Sequence, residues 1–390
     1  MFQWRERRPS VIVGALILVT VTVVSFTLLH ASLPPNRPLV PDTLPTELGN
    51  EDYWKIVENF SEPNGYFRSD NLLSNETGLQ DVIPKMKPHV PSGGVYIGVG
   101  PEQNFTYILA FEPKISFIVD IRRLNMLEHL MYKALFELSA DRAEFLARLF
   151  SRPRPKGLRS SELDVKTLFD SFDAVREDNV FFESNLDAIA QHLSEMHGFR
   201  LDDDDLLQIR YILTNFYQQG PNLSYSFLGS YYQGTLGMPT YRKLMQATDE
   251  HGRNWSFLAT EDQFQRLQAI QRKNLIVPLV GDFAGPKTIR MVGRYLSDHH
   301  AALSVFYTSN VEMYLFQQGD DWKHFYANVK TLPIDSYSSF IRFAAGRGRQ
   351  FGFNSSFSMR SQMWSPVSEV LDAVRTRRVD DYSGVLGLSQ

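Results

Sequence analysis

The chain of 390 residues contains no cysteine and no strong excess of either charge. Without cysteine it cannot form a disulfide, use a thiolate nucleophile or build a cysteine-based zinc site. The formal net charge of −4 argues against nucleic acid as a main partner. The sequence also lacks the H-E-x-x-H, G-x-S-x-G and G-x-x-x-x-G-K-[ST] motifs. We therefore predict no metal site, no serine-hydrolase elbow and no P-loop.

The chain is rich in the residues that build a core, with 43% hydrophobic and 13% aromatic residues. Such a chain folds into one large domain or two and is not disordered. Residues 31–51 contain five prolines and predict an extended linker. We predict an α/β domain over residues 52–350, followed by a poorly ordered C-terminal tail over residues 351–390.

Residues 11–30 form a long apolar run without a single charge. As a helix, its nineteen residues from 11 to 29 would cover roughly 28 Å of hydrocarbon. Three arginines lie within residues 1–10, so the positive-inside rule places that end in the cytoplasm. We predict a single-pass membrane anchor with the domain outside the cytoplasm, in the periplasm or its equivalent. A cleaved signal peptide is the alternative, and it would export the same domain.

A strand–turn–helix–strand pattern occupies residues 93–120. The segment "GGVYIGVG" predicts a buried strand that ends in a glycine turn, and a helix can start from Asn104. The segment "ISFIVD" predicts a second buried strand that ends at Asp120, twenty residues beyond Gly100. An acidic residue at that distance is placed to accept hydrogen bonds from ribose hydroxyls. The alternative is an ordinary βαβ unit whose glycines serve only the turn.

The polar segment "SEPNGYFRSDNLLSNE" at residues 61–76 has two interpretations. Its turn-forming residues are typical of a surface loop. Loops held by a rigid scaffold also carry binding groups, so the segment could instead form a polar lid beside a ligand. The candidate substrate or lid residues are Arg68, Asp70, Asn71, Asn75 and Glu76.

The glycine turn followed by the acid resembles the first two motifs of class I S-adenosylmethionine (SAM)-dependent methyltransferases. The segment "LIVPLVGDFAGPKTIRMVGRYL" (275–296) is similar to a later strand and helix of that family. The segment "LSVFYTSNVEMYL" (303–315) is similar to the strand after it. The signatures "EPNGYFRSDN..SNE" and "GVGPEQNFTYI" are also similar to an uncharacterised group of exported bacterial proteins. The resemblance implies a Rossmann-like sheet, with residues of about 124–270 as a helical insertion.

The resemblance also implies a set of site residues. Those expected to bind the cofactor SAM are Gly98, Gly100, Glu102, Asn104, Asp120, Asp282, Phe283 and Ser309. Asn310 and Glu312 follow the later strand and would orient or deprotonate a methyl acceptor. Glu102 stands where the family has its third glycine, so we expect its charge to face the carboxylate of a SAM-like ligand.

Two functions follow from these observations. The first is SAM-dependent methyl transfer to a small-molecule acceptor by a membrane-tethered enzyme. The second is non-catalytic ligand binding by an exported envelope protein that keeps the fold without the chemistry. The expected location distinguishes the two functions. SAM is made in the cytoplasm and the domain is expected outside it, which favours the binding protein. The acceptor and the oligomeric state stay open.

Overall fold

Runs of β-branched and aromatic residues form a six-stranded sheet in the computed structural model, which describes residues 41–225, 238–345 and 360–390. The strands are β1 (Val95–Gly98), β2 (Ile115–Asp120), β3 (Ile276–Val280), β4 (Leu303–Ser309), β5 (Ile334–Ala345) and β6 (Arg360–Pro366). Their order in the sheet is β3-β2-β1-β4-β5-β6. The pairs from β3 to β5 are parallel, and β6 runs antiparallel to β5. The protein is thus a mixed α/β protein with a mostly parallel sheet.

Helices precede, follow and separate the strands. Those outside the β2–β3 connection are α1 (Asn50–Phe60), α2 (Ile83–Met86), α3 (Gln103–Phe111), α11 (Thr288–Asp298), α12 (Val311–Leu315), α13 (Asp321–Val329), α14 (Val367–Arg375) and α15 (Tyr382–Leu386). Those between β2 and β3 are α4 (Arg123–Leu138), α5 (Arg142–Leu149), α6 (Val165–Asp170), α7 (Asn179–Gln191), α8 (Asp203–Gln219), α9 (Tyr241–Gln246) and α10 (Glu261–Arg272). Two 3₁₀ turns (Ser160–Glu162 and Gly220–Asn222) and a π-helical turn (His192–Met196) complete that connection.

Strands β1, β2 and β3 are buried on both faces. Every residue of β1, β2 and β3 is buried, which explains why these strands are continuous apolar runs rather than alternating patterns. Helix α4 is buried around most of its circumference, as expected for a helix between the sheet and other helices. Its Phe136 stacks on Phe145 of α5, with ring centroids 4.6 Å apart. Helix α4 therefore packs between the sheet and the other helices of the β2–β3 connection.

The predicted strand–turn–helix–strand unit is confirmed. Strands β1 and β2 are adjacent and parallel, with Val95 paired to Ile115, and α3 connects them. The first part of the predicted helical insertion forms α4 and α5, with Asp141 as the N-cap of α5. The helices between β2 and β3 lie where the sequence predicted an insertion.

Both ends of the predicted domain differ from the structure. The compact unit begins at Asp42, whose carboxylate pairs with Lys114 at 2.7 Å. Residues 360–390 form β6, α14 and α15 instead of a poorly ordered tail. Within the described ranges, no helix is long and apolar enough to cross a membrane. The predicted anchor at residues 11–30 lies outside the described residues.

Candidate functional site

A cleft of about 380 Å³ lies at the carboxyl ends of the parallel strands β1 to β4. Ligands of open parallel sheets bind at this edge, where the chain leaves neighbouring strands in opposite directions. Nine of the predicted residues line it: Asn71, Asn75, Glu76, Gly100, Asp120, Asp282, Phe283, Ser309 and Asn310. The sequence pattern therefore brings residues from four strand ends and one loop into a single cleft.

The glycine turn after β1 is held from inside the protein. Asn104 donates its side-chain amide to the carbonyls of Val99, Gly100 and Pro101, at 2.8 to 3.0 Å. Its Oδ1 accepts a hydrogen bond from the hydroxyl of Tyr96 at 2.8 Å. Asn104 and Gly98 thus shape the turn and do not line the cleft, which corrects their predicted roles as cofactor contacts.

Gly98 and Gly100 are each required in the turn for a different structural reason. A Cβ at Gly98 would lie 2.0 Å from Asn104 Oδ1, so only glycine leaves room for the Tyr96–Asn104 hydrogen bond. Gly100 has a φ of +78°, a backbone conformation that glycine adopts without steric cost. Its carbonyl also contacts the ring of buried His129, with 2.9 Å between O and Nε2. Burial lowers the pKa of His129 to about 4, so this ring is neutral at pH 7.

Asp120 lies at the end of β2 as predicted, but it is already paired. Arg122 donates Nε to Oδ1 at 2.9 Å and Nη2 to Oδ2 at 2.8 Å. The same guanidinium reaches the backbone carbonyls of Ser69 and Asp70 through Nη1. Arg122 therefore fastens the 61–76 loop to the end of β2, and Asp120 presents a partly neutralised carboxylate to the cleft.

Asp282 and Phe283 follow β3 and line the next part of the cleft. Asp282 accepts a hydrogen bond from the amide of Ala284 at 2.9 Å, and burial raises its pKa. The ring of Phe283 is 3% exposed and stacks on Phe325, with centroids 5.5 Å apart. Because most of this ring belongs to the core, Asp282 is the more accessible of the two groups.

Glu76 and Ser309 form a polar pair at the end of β4. Ser309 has a φ of +51° and donates its hydroxyl to Glu76 Oε1, while Gln362 of β6 donates to Oε2. Glu76 is 1% exposed, and burial raises its pKa against the lowering effect of the Ser309 hydrogen bond. Asn310 lines the cleft beside this pair. The polar groups predicted after β4 thus meet a carboxylate from the 61–76 loop.

Glu312, one of the two predicted catalytic residues, does not line the cleft. Its buried carboxylate pairs with Arg342, with Oε2 at 2.5 Å from Nε. Tyr326 donates its hydroxyl to Oε1, and Thr308 donates to Oε2. Glu312 does not reach the cleft because the first turn of α12 directs its side chain towards Arg342 of β5.

Glu102 also lies away from the cleft. Its side chain is fully buried, and one oxygen accepts a hydrogen bond from the amide of Ser74 at 3.3 Å. Burial raises the pKa of Glu102 to about 8 and raises that of neighbouring Glu128 well above its usual range. Glu102 is therefore mostly protonated at pH 7. The expected repulsion of a ligand carboxylate by Glu102 is therefore wrong.

The 61–76 loop contributes only part of its polar residues to the cleft. Asn71, Asn75 and Glu76 line it. Arg68 lies outside and contacts Tyr314, with Nη2 3.3 Å from the hydroxyl. Asp70 also lies outside, and its carboxylate accepts a hydrogen bond from Tyr211. The loop is thus one wall of the cleft rather than only a surface turn.

Several cleft residues escaped the sequence analysis, among them Gln103, Arg122, Tyr225 and Tyr314. Arg122 stands two residues after the acid that ends β2, a spacing that could have suggested an ion pair. Gln103 occupies the first turn of α3, the helix whose N-terminus faces the strand ends. The two tyrosines come from distant segments and give no local signal.

Several hydrogen-bond acceptors lie in the wall of the cleft. Within the described part of the chain, the buried Oδ1 of Asn71 and Oε1 of Gln103 have no hydrogen-bond partner. The carboxylates of Glu76 and Asp282 add further acceptors. Both amide oxygens are buried away from solvent, so the half-buried carboxylate of Asp282 is the more accessible acceptor.

The structure defines a mixed α/β protein with a cleft at the carboxyl edge of its mostly parallel sheet. Residues 72–383 match the family described as a domain of unknown function (DUF7790), and the chain belongs to this family. The match includes all six strands and most of the cleft wall. No curated protein matches the chain.

Proposed function

We propose that the cleft binds SAM or a related adenosyl compound and that the protein is a methyltransferase-like α/β protein. The observation that carries this proposal is the meeting of Gly100, Asp120, Asp282 and Ser309 in one cleft at the ends of β1 to β4. The sheet order supports a Rossmann-like sheet of the methyltransferase type, because β2 and β4 leave β1 on opposite sides. The cleft volume suits a small molecule.

The acceptor-rich lining fits the chemistry of such a ligand. SAM offers donors through its ribose hydroxyls, its α-ammonium group and its adenine amine. The half-buried carboxylate of Asp282 can accept hydrogen bonds from such donors. Tyr314 adds an aromatic wall. Aromatic faces favour cations, and a sulfonium is one.

The residues would hold the ligand in three parts. The Gly100 turn and Gln103 face the amino-acid part, Asp120 faces the ribose, and Asp282 faces the adenine. When bound, SAM supplies an electrophilic methyl group. Glu76, rather than Glu312, is then the carboxylate positioned to accept a proton from a methyl acceptor, because it lines the cleft and its pKa is raised.

A non-catalytic ligand-binding protein is the second candidate, and one observation favours it. Both oxygens of Asp120 are engaged by Arg122, so a ribose would have to share or displace that guanidinium. The apolar run at residues 11–30 supports a membrane tether that holds the domain outside the cytoplasm. Such a location separates the cleft from the compartment where SAM is made, which also supports binding without methyl transfer.

Calorimetry with SAM and S-adenosylhomocysteine tests the proposal on residues 42–390. Asp282→Asn keeps the size of the side chain and removes its charge. A hydrogen bond to a charged group contributes about 1.5–3 kcal/mol, so affinity should fall by a factor of about 10 or more. Asp298→Asn is the matched control, because Asp298 is exposed at the end of α11, and it should leave affinity unchanged.

Two outcomes would decide between the candidates. Binding of both compounds with methyl transfer to some acceptor supports the enzyme, and binding without transfer supports the binding protein. Absence of heat from the folded wild type with either compound would reject the adenosyl ligand. Equal affinities for wild type and Asp282→Asn would reject the proposed placement of the adenine.

A further inference from the structure

A second cluster of polar side chains lies at the far end of α4 from the cleft. Arg123 begins α4 near the cleft, where it pairs with Asp205 at 2.6 Å. Glu137 lies fourteen residues further along the helix, roughly 21 Å away at 1.5 Å per residue. His192 and His197 contact Glu137 there, with their Nε2 atoms 2.7 Å and 2.5 Å from its Oε2. These three donor atoms lie within 4.8 Å of one another.

The π-helical turn explains how the two histidines converge. In a regular α-helix, residues five apart point about 140° away from each other. Here the amide of His197 donates to the carbonyl of His192 at 3.1 Å, which is the wider hydrogen bond of the π turn His192–Met196. The rings then lie 4.9 Å apart and both face Glu137. Single π turns are often found at functional sites.

The surroundings of His197 indicate that its Nδ1 is a hydrogen-bond donor. Asn274 donates its amide to Asn50 Oδ1 at 2.9 Å, so this Oδ1 is an acceptor. His197 Nδ1 lies 2.9 Å from the same atom and therefore carries a proton. In the neutral ring Nε2 must then present its lone pair towards Glu137 Oε2. Two lone pairs facing each other at 2.5 Å need a proton or a metal cation between them.

The second oxygen of Glu137 has its own partner. Lys133 donates to Oε1 at 2.6 Å, so Oε2 is the oxygen that the two histidines share. An imidazole whose other nitrogen donates to an oxygen, and a carboxylate whose other oxygen accepts from a neighbour, are typical of metal ligands with an ordered outer shell. The Glu137, His192 and His197 side chains are only 7%, 18% and 10% exposed, so the cluster is largely shielded from solvent.

We propose that Glu137, His192 and His197 bind one divalent transition-metal ion of the Zn²⁺ class. Two imidazole nitrogens and one carboxylate oxygen form a ligand set that Zn²⁺ accepts, with a water at the fourth position. Ligand atoms about 2.0–2.1 Å from the metal lie roughly 3.3 Å apart, so each Glu137–histidine contact would lengthen by less than 1 Å. The ion would join α4, the π turn and, through Asn50, the start of α1.

Metal titration of the full chain tests this site. The protein carries no polyhistidine tag, is stripped with a chelator and is then titrated with Zn²⁺ in competition with a chromophoric chelator. We expect one equivalent to bind. His192→Ala and His197→Ala should each weaken binding by about 100-fold or more, because loss of an outer-shell partner alone costs about 10–100-fold. Asn50→Ala removes an outer-shell partner of this kind and should weaken Zn²⁺ binding by about 10–100-fold. His251→Ala is the control and should bind as the wild type, because its ring is exposed.

A second measurement does not depend on how the variants fold. Co²⁺ bound to the wild type should show the intense visible absorption of a four-coordinate ion, and one equivalent of Zn²⁺ should abolish it. A wild type that binds neither ion at micromolar concentrations would overturn the site and leave a proton-bridged Glu–His–His cluster. Binding that survives in the His192→Ala/His197→Ala double variant would place the metal elsewhere and would also overturn it.

Discussion

Replacing Glu102 by glutamine should stabilise the protein at alkaline pH. The carboxyl group is fully buried, with one hydrogen bond to its Oε1 from the amide of Ser74. Its Oε2 has no hydrogen-bond partner among the described residues. Both carboxyl oxygens of neighbouring Glu128 are likewise buried without a hydrogen-bond partner among the described residues. Glutamine has nearly the same shape and cannot ionise.

The size of the effect follows from the pKa of Glu102, which burial raises from 4.5 to about 8. Between these two values the unfolded chain releases the proton and the native state keeps it. The free energy of unfolding of the wild type therefore falls as pH rises through this window and levels off above pH 8. At 1.36 kcal/mol per pKa unit, the upper limit is roughly 5 kcal/mol. Local relaxation or water entry would reduce this value.

Urea unfolding of both proteins at pH 5, 6.5 and 8 measures the effect. Glu102→Gln should match the wild type within about 1 kcal/mol at pH 5 and should exceed it increasingly at the two higher values. Glu128 and His129 are present in both proteins, so their titration largely cancels in the difference. Glu47→Gln, at an exposed position, is the control. A difference between variant and wild type that does not change with pH would refute the reasoning.

Three further predictions follow from other parts of the molecule. Glu312→Gln should lower the free energy of unfolding by about 3–5 kcal/mol, because it leaves the buried guanidinium of Arg342 uncompensated; a urea midpoint equal to that of the wild type would contradict the pairing. Gly98→Ala should cost about 1–3 kcal/mol, because its Cβ would collide with Asn104 Oδ1, and unchanged stability would disprove the steric argument. A reporter that works only outside the cytoplasm, fused after Gln390, should be active, whereas activity of a cytoplasmic reporter instead would reverse the predicted orientation.

The sheet and the position of the cleft could be predicted because their signals are local. Buried parallel strands are continuous apolar runs, and β1, β2, β3 and β4 each appear as one. The carboxyl ends of parallel strands meet at one edge, so the residues that follow each run are brought together. Asp120 was placed in this way, whereas Asp282 and Ser309 were expected from the family resemblance.

Side-chain direction and distant pairing could not be predicted. Glu102 and Glu312 both lie near the start of a helix that follows a strand. Glu102 is buried in the core, whereas Glu312 forms an ion pair with Arg342. Local sequence does not contain these partners, because they come from other elements. Strand β6 was missed for a related reason. Its residues, "RSQMWSP", form an edge strand with one neighbour and lack a long apolar run.

The same limit applies to the Glu137 cluster. Its histidines are separated from the glutamate by 55 and 60 residues. Their spacing of five does not place them on one face of an α-helix, and only the π turn brings them together. A search for regular metal-binding spacings therefore passes over these residues.

A crystal structure of residues 42–390 grown with S-adenosylhomocysteine tests the central claim most directly. We predict density for the ligand in the cleft, with the adenine beside Asp282, the ribose beside Asp120 and the amino-acid part above the Gly100 turn. An empty cleft at millimolar ligand, or a ligand bound away from the ends of β1 to β4, would contradict the account.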